Sequence, residues 1–155
     1  MEFQQVLEAF SDCAEAGDAA GFARLFTEDG VYHDRFYGRN DGRPAIEALL
    51  RRFHADGERF HWRFHDPALA GDTGYASFLY AYTARTKHAA GRRVALRGIG
   101  RFRLRAGLIA DYDDAFESGV MLTQLGSPSE VMGKLFLRWA AATQADADIR
   151  RLLEE

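Results

Sequence analysis

The chain has a single cysteine, no long apolar run and no surplus of positive charge, and each absence removes a class of protein. Cys13 has no partner, so neither a disulfide framework nor a cysteine-built metal site is available. It lies in an apolar helical stripe, where cysteine behaves as a small hydrophobe. Nothing approaches the roughly 20 apolar residues of a membrane span. The net charge of −3 and a pI near 6.0 give no electrostatic case for a nucleic-acid or anionic-membrane partner. The opening MEFQQVLEAF is acidic and amphipathic, unlike a secretory signal. Repeats, linkers and low-complexity tracts are also missing. A cytoplasmic protein is therefore expected.

What remains suits one domain: 155 residues, 47% hydrophobic and 28% charged. Phe3, Val6, Leu7, Phe10, Cys13 and Ala14 recur at helical spacing until Gly17. Asp18 reads as the N-cap of a second helix carrying Phe22, Leu25 and Phe26, closed by Gly30 before a short strand from Val31 to Phe36. Pro44 falls in the first turn of a third helix that buries Ile46, Leu49, Leu50 and Phe53. From Arg59 the period turns alternating. Strands are expected over 61–67, 74–86, 92–104 and 108–116, joined by turns rich in glycine. Ser127-Pro-Ser-Glu130 has the form of a capping box opening a C-terminal helix. Helices segregated onto one face of a mostly antiparallel sheet make an α+β domain.

Alternation assigns the faces. Ala76, Phe78, Tyr80, Tyr82 and Ala84 share one with Leu96, Gly98, Gly100, Phe102 and Leu104, and with Ala110, Tyr112, Asp114 and Phe116. Polar groups on a face covered by helices suggest a lined pocket. Gly98 and Gly100 either open that wall or permit curvature. The opposite face takes Arg97, Arg101, Arg103 and Arg105 with Ile109, Asp111 and Asp113, an arrangement suited to cross-strand pairing. His61 and His65 in HWRFH lie roughly 13 Å apart on a strand, too far to share a metal. His61 reads as a rim residue, an acid or base only if it faces the pocket.

AGDAAGFARLFTEDGVYHD (16–34), GRPAIEALLRRF (42–53) and GRFRLRAGLIADYDDAF (100–116) resemble the nuclear-transport-factor-2-like superfamily, in particular its SnoaL-like branch. The resemblance implies a curved sheet wrapped into a cone and closed by the three N-terminal helices around a deep apolar pocket, a cystatin-like topology. It covers residues 1–117, with 118–155 as a helical extension. Beside limonene-epoxide-hydrolase-like enzymes, Tyr32 falls on a water-positioning tyrosine, Asp34 on an asparagine and Asp114 on the acid carboxylate. Their arginine and second aspartate fall on Tyr80 and Tyr82, so that ionic trio is not retained. Beside ketosteroid isomerase, Asp34 matches the base, while the oxyanion donors fall on Phe10 and near Gly100.

Strand alternation puts Tyr32, Asp34 and Phe36 on one face, and the resemblance makes that face the pocket, where desolvation raises a carboxyl pKa toward the range of a general base. The expected catalytic set is Asp34, Asp114 and Tyr32. The expected substrate-binding set is Phe53, Phe78, Tyr80, Tyr82, Leu96, Phe102 and Tyr112, with no metal and no cofactor. The substrate would be a small hydrophobic ketone undergoing isomerisation, cyclisation or dehydration. A noncatalytic ligand-binding domain and a structural subunit with a filled interior are the alternatives. A homodimer is expected through the outer sheet face around Ser77, Leu79, Ala81 and Thr83, flanked by Arg97, Ile99 and Arg101. The apolar residues Met121, Leu122, Leu125, Val131, Leu135, Phe136 and Trp139 require the extension to pack, as a lid over the pocket or onto the partner.

Overall fold

The computed structural model describes the whole chain, Met1–Glu155. Helix α1, Phe3–Ala16, buries Phe3, Val6, Leu7, Phe10 and Ala14 along one stripe and ends at Gly17, whose φ of 72° is the left-handed cap that glycine adopts without strain. The Asp18 side chain accepts from the Gly21 N–H at 2.8 Å and starts α2, Ala19–Arg24. Here the expected boundary fails. The helix stops at Arg24, and Phe26 already belongs to strand β1, Phe26–Asp34. Gly30 lies inside that strand, at an irregularity between Phe26 and Val31. A Cβ there would sit 3.0 Å from the Thr27 carbonyl and 3.1 Å from that of Ile109, so the glycine marks close backbone approach rather than a helix end.

Strand β2, Gly38–Asp41, folds back on β1, and α3, Gly42–Asp56, crosses the sheet with Ile46, Leu49 and Leu50 buried. The meander follows as β3, Gly57–Ala70, β4, Thr73–Ala84, β5, Arg93–Arg105, and β6, Leu108–Phe116. The order across the sheet is β2-β1-β6-β5-β4-β3, antiparallel throughout except that β1 runs parallel to β6. Irregularities in the β3–β4 ladder help to bend this curved, unclosed six-stranded sheet, because a bulge kinks its strand and increases twist. The mixed α+β architecture is the expected one.

One side-chain placement differs from simple alternation. Ile109 is wholly buried instead of sharing the outer face with Asp111 and Asp113. Between Arg103 opposite Asp111 and Leu104 opposite Ile109, β6 carries one extra residue, and that single step reverses the facing. Gly98 and Gly100 do not open the wall. Phe78 and Phe116 lean over the first and the Tyr112 ring over the second, so added Cβ atoms would meet them at 2.4, 2.8 and 3.1 Å. His61 is exposed, opposite Ala81. On the outer face Arg101 pairs with Asp111 at 3.0 Å and lies 3.6 Å from Asp113, as the charge pattern indicated.

The extension forms α4, Ser118–Gln124, α5, Ser129–Ala145, and α6, Ala147–Leu153. Ser127 does not cap α5, which has Pro128 at its N-cap position and no side-chain cap. Its N–H bonds to the Leu122 carbonyl while the Gly126 N–H bonds to that of Thr123, a Schellman closure of α4. Burial of the apolar residues is uneven. Leu122 is buried, but Val131, Phe136 and Leu137 stay 46, 41 and 73% exposed. No helix is long and apolar enough to cross a membrane.

Candidate active site

A cavity of about 270 Å³ lies between the sheet and the helices. Fifteen of its 19 lining residues are hydrophobic, so shape and apolar contact dominate what it can recognise. Phe53 comes from α3, Phe60 and Trp62 from β3, Phe78, Tyr80 and Tyr82 from β4, Leu96 from β5 and Phe116 from β6. Helix α4 covers it with Met121, Leu122 and its C-cap residue Leu125. That helix is tied down by Gln124, whose carboxamide accepts from the Ala95 N–H at 2.7 Å and donates to the Ala95 carbonyl at 2.8 Å. Ala95 lies beyond Gly98, where β6 stops pairing with β5, so the side-chain amide takes backbone groups that the sheet leaves open.

The polar part of the wall comes from one feature of topology. Parallel β1 and β6 run in register, Tyr32 beside Tyr112 and His33 beside Asp113, and the next residues are Asp34 and Asp114. The same Tyr-x-Asp segment thus occurs twice, side by side, with the two phenol rings 4.7 Å apart. Asp34 ends β1, and its Oδ1 accepts the N–H groups of Phe36 at 2.8 Å and Tyr37 at 2.7 Å in an Asx turn. Burial pushes its carboxyl above the ordinary range, while those two N–H groups and the Arg52 charge pull it back. Asp114 accepts the Tyr112 hydroxyl on Oδ2 at 2.9 Å. Burial pushes it up to about 7, against the pull of that hydrogen bond and with a further push from the Asp34 charge.

The phenols around them stay protonated. Burial, reinforced by Asp114 and Asp34, drives Tyr32 well above the ordinary value, and burial with Tyr82 and Asp34 does the same to Tyr80. At the α3 side of the wall Tyr37 donates to Asp56 at 2.5 Å, with the Arg52 guanidinium 4.1 Å over its ring. Burial and the Asp56 charge push Tyr82 up to about 12.

Of the residues expected from sequence, Tyr32, Asp34, Phe53, Phe78, Tyr80, Tyr82, Leu96 and Asp114 line the cavity. Phe102 and Tyr112 do not: both are 0% exposed, behind the wall, where Phe10 of α1 packs 5.8 and 5.1 Å from their rings. Tyr112 reaches the site only through its bond to Asp114. Tyr37 and Asp56 were not anticipated, because a tyrosine in a turn and an aspartate ending a helix read as solvated residues. Trp62 and Phe60 could have been found, since they share a strand face. No group of His, Cys, Asp and Glu has the arrangement of a metal site.

Residues 7–112 match the SnoaL-like domain family. The chain belongs to the SnoaL-like family. No curated protein matches it by sequence. Among solved structures it is similar to a Catenulispora acidiphila protein with a ketosteroid isomerase-like fold, in complex with trimethylamine, at 24% identity and TM-score 0.73 over 81% of this SnoaL-like chain and 95% of the other. An LEH-like epoxide hydrolase of M. tuberculosis aligns at 22% identity and TM-score 0.64 over 78% and 86%. IdmH of Streptomyces antibioticus, a candidate polyketide cyclase, aligns at 17% and 0.68 over 81% and 99%. Such likenesses establish the fold, one shared with a ketosteroid isomerase-like protein.

Proposed function

We propose that this SnoaL-like protein is an enzyme that moves a proton on a small hydrophobic ketone, in an isomerisation, cyclisation or dehydration. The observation that carries the reading is the in-register pair of Tyr-x-Asp segments on the wall of an apolar cavity. Asp34, with its charge stabilised by two backbone N–H groups, is the base. Asp114, held neutral up to about pH 7, is the acid, because two neighbouring carboxyls do not readily ionise together. Asp34 takes the proton beside the carbonyl, the C–H electrons form a carbon–carbon double bond as the carbonyl π pair moves to oxygen, and Asp114 or the Tyr32 or Tyr80 hydroxyl stabilises that oxygen. Return of the proton to a second carbon restores both carboxyls and completes an isomerisation. No cofactor is required for these steps.

The neighbours support a small-molecule partner: one was solved with trimethylamine and another is named an epoxide hydrolase. Tyr80 and Tyr82 stand where the ionic trio of the limonene-epoxide-hydrolase type would continue, which favours enolisation over epoxide opening. The cavity counts against a structural subunit with a filled interior.

Deuterium uptake beside the carbonyl of uncharged bicyclic ketones tests the reading. Asp34→Asn should slow uptake by about 10²–10⁴-fold, and in the parent protein the rate should fall above about pH 7 as Asp114 ionises. Equal rates in both proteins would remove Asp34 as the base. Saturable binding without uptake in the parent protein would make the chain a noncatalytic ligand carrier. The same reading pairs two copies through the outer sheet face, where Leu79 and Ile99 are 50 and 54% exposed. Light scattering at micromolar concentration should give twice the chain mass, and a single-chain mass removes the pairing.

A further inference from the structure

Asp34 and Asp114 border a second space. They also line a cleft of about 450 Å³, bounded by His33, Arg35 and Asp113 on the sheet side and by Trp139, Thr143 and Asp146 on the extension. Only three of its ten lining residues are hydrophobic, against fifteen of nineteen in the cavity. Ala142, Thr143 and Asp146 at its edge are exposed, so it opens to solvent. At about 30 Å³ per water, it has room for roughly fifteen molecules.

The extension is held across this cleft by one aromatic contact. The Trp139 ring packs edge-on to Phe36 at 5.4 Å, with the Arg35 guanidinium 5.5 Å from its centroid. Both of its partners come from the turn that follows Asp34, and the same turn supplies the N–H groups that Asp34 accepts. Each carboxylate uses one oxygen within the fold, Oδ1 of Asp34 and Oδ2 of Asp114. The two carboxyls line both the apolar cavity covered by α4 and the hydrophilic cleft bordered by α5 and α6.

We propose that this cleft is a water-binding site through which the carboxyl pair is hydrated and exchanges protons with bulk solvent, independently of the apolar cavity. An apolar molecule filling the cavity would strip water from that side. The cleft keeps the other side wet, so the pair can return to its starting protonation while the cavity is occupied. The inference gives the carboxyls of the proposed function their proton route, and it rests on that reading only for its catalytic consequence.

The groups that face Asp114 are Tyr112 and Asp113 on its own strand, Tyr32, Asp34 and Arg35 from β1 and its turn, and Tyr80 from β4. Asp146 and His33 share the cleft. Filling the cleft with an uncharged ring alters hydration and leaves all of these charges in place. Ala142→Trp and Thr143→Trp do this at exposed positions outside the cavity wall, where folding should tolerate them. In the ligand-free full chain each should raise the Asp114 midpoint, followed by carboxyl carbon NMR, by about one pH unit. Saturation with 2-acetylnaphthalene should then raise it further in the filled variants than in the parent protein. Unchanged midpoints in both ligand-free variants overturn the proposal. A raised midpoint in a protein that takes up no deuterium would sink the enzymatic reading and leave the cleft as the water route.

Discussion

Tyr32-His33-Asp34 and Tyr112-Asp113-Asp114 lie side by side in one register, yet their carboxylates are held differently. Strand β1 ends at Asp34, so the turn that follows brings two N–H groups onto its Oδ1 at 2.8 and 2.7 Å. Strand β6 runs on to Phe116, no turn amide is at hand, and Asp114 is left with the hydroxyl of Tyr112 at 2.9 Å. Two backbone donors stabilise a charge, whereas one phenol does not offset burial next to another carboxylate. In the proposed reaction that difference would make Asp34 the base and Asp114 the acid, with the Arg52 charge near Asp34 and the Asp113 charge near Asp114 acting in the same direction. Residue type alone would make the two equivalent.

The largest expected effect comes from removing the titrating member. Asp114 has a folded pKa of about 7 against an ordinary 3.8. Below the lower value both states are protonated and burial is tolerated. As pH rises toward 7 the unfolded state ionises while the folded state lags, so stability falls by ~1.4 kcal/mol per pH unit, on the order of 4 kcal/mol in all. Asp114→Asn should remove most of this slope between pH 4 and 7, leaving the smaller part that the raised Asp34 carboxyl contributes, and be the more stable protein at pH 8, as read by urea unfolding at each pH. A slope undiminished by the substitution would assign it to other groups and undo the contrast.

Much of the fold was legible because its signals are local. The Asp18 cap, the Gly17 stop, Pro44 in the first turn of α3 and the alternation of the four long strands each depend on a few neighbouring residues. The pairing of β1 with β6 was not legible, since nothing near Val31 announces a partner 80 positions away. Gly30 misled because a glycine at a bulge and a glycine ending a helix look alike in sequence. For the site, alternation identified the inner face but not the depth along each strand. Leu96 and Phe102 share that face, but Phe3 and Phe10 of α1 fill the Phe102 end, leaving Leu96 on the cavity wall.

A smaller effect sharpens the contrast. Tyr112→Phe removes the only side-chain donor to Asp114 and leaves the turn at Asp34 intact. That bond lowers the Asp114 pKa, so its loss should raise the midpoint by about one unit while Asp34 stays in place, which widens the separation. Carboxyl carbon NMR titration of both aspartates reads it directly. A midpoint that falls or does not move would mean that the hydroxyl does not donate to the ionised carboxylate.

The smallest effect belongs to the matching tyrosine on the other strand. Tyr32 lies as deep as Tyr112, 1% against 0% exposed, and their rings are in contact. Yet the bonds that hold Asp34 come from Phe36 and Tyr37, and Tyr32 is not among the groups that set the pKa of either carboxyl. Tyr32→Phe should therefore move neither midpoint by more than about 0.3 unit. Its consequence should appear in the rate of deuterium uptake instead, since Tyr32 lines the cavity and Tyr112 does not. If Tyr32→Phe shifts Asp34 as far as Tyr112→Phe shifts Asp114, each carboxylate is tuned by its own strand's tyrosine. The turn after β1 would then have no part in making Asp34 the base.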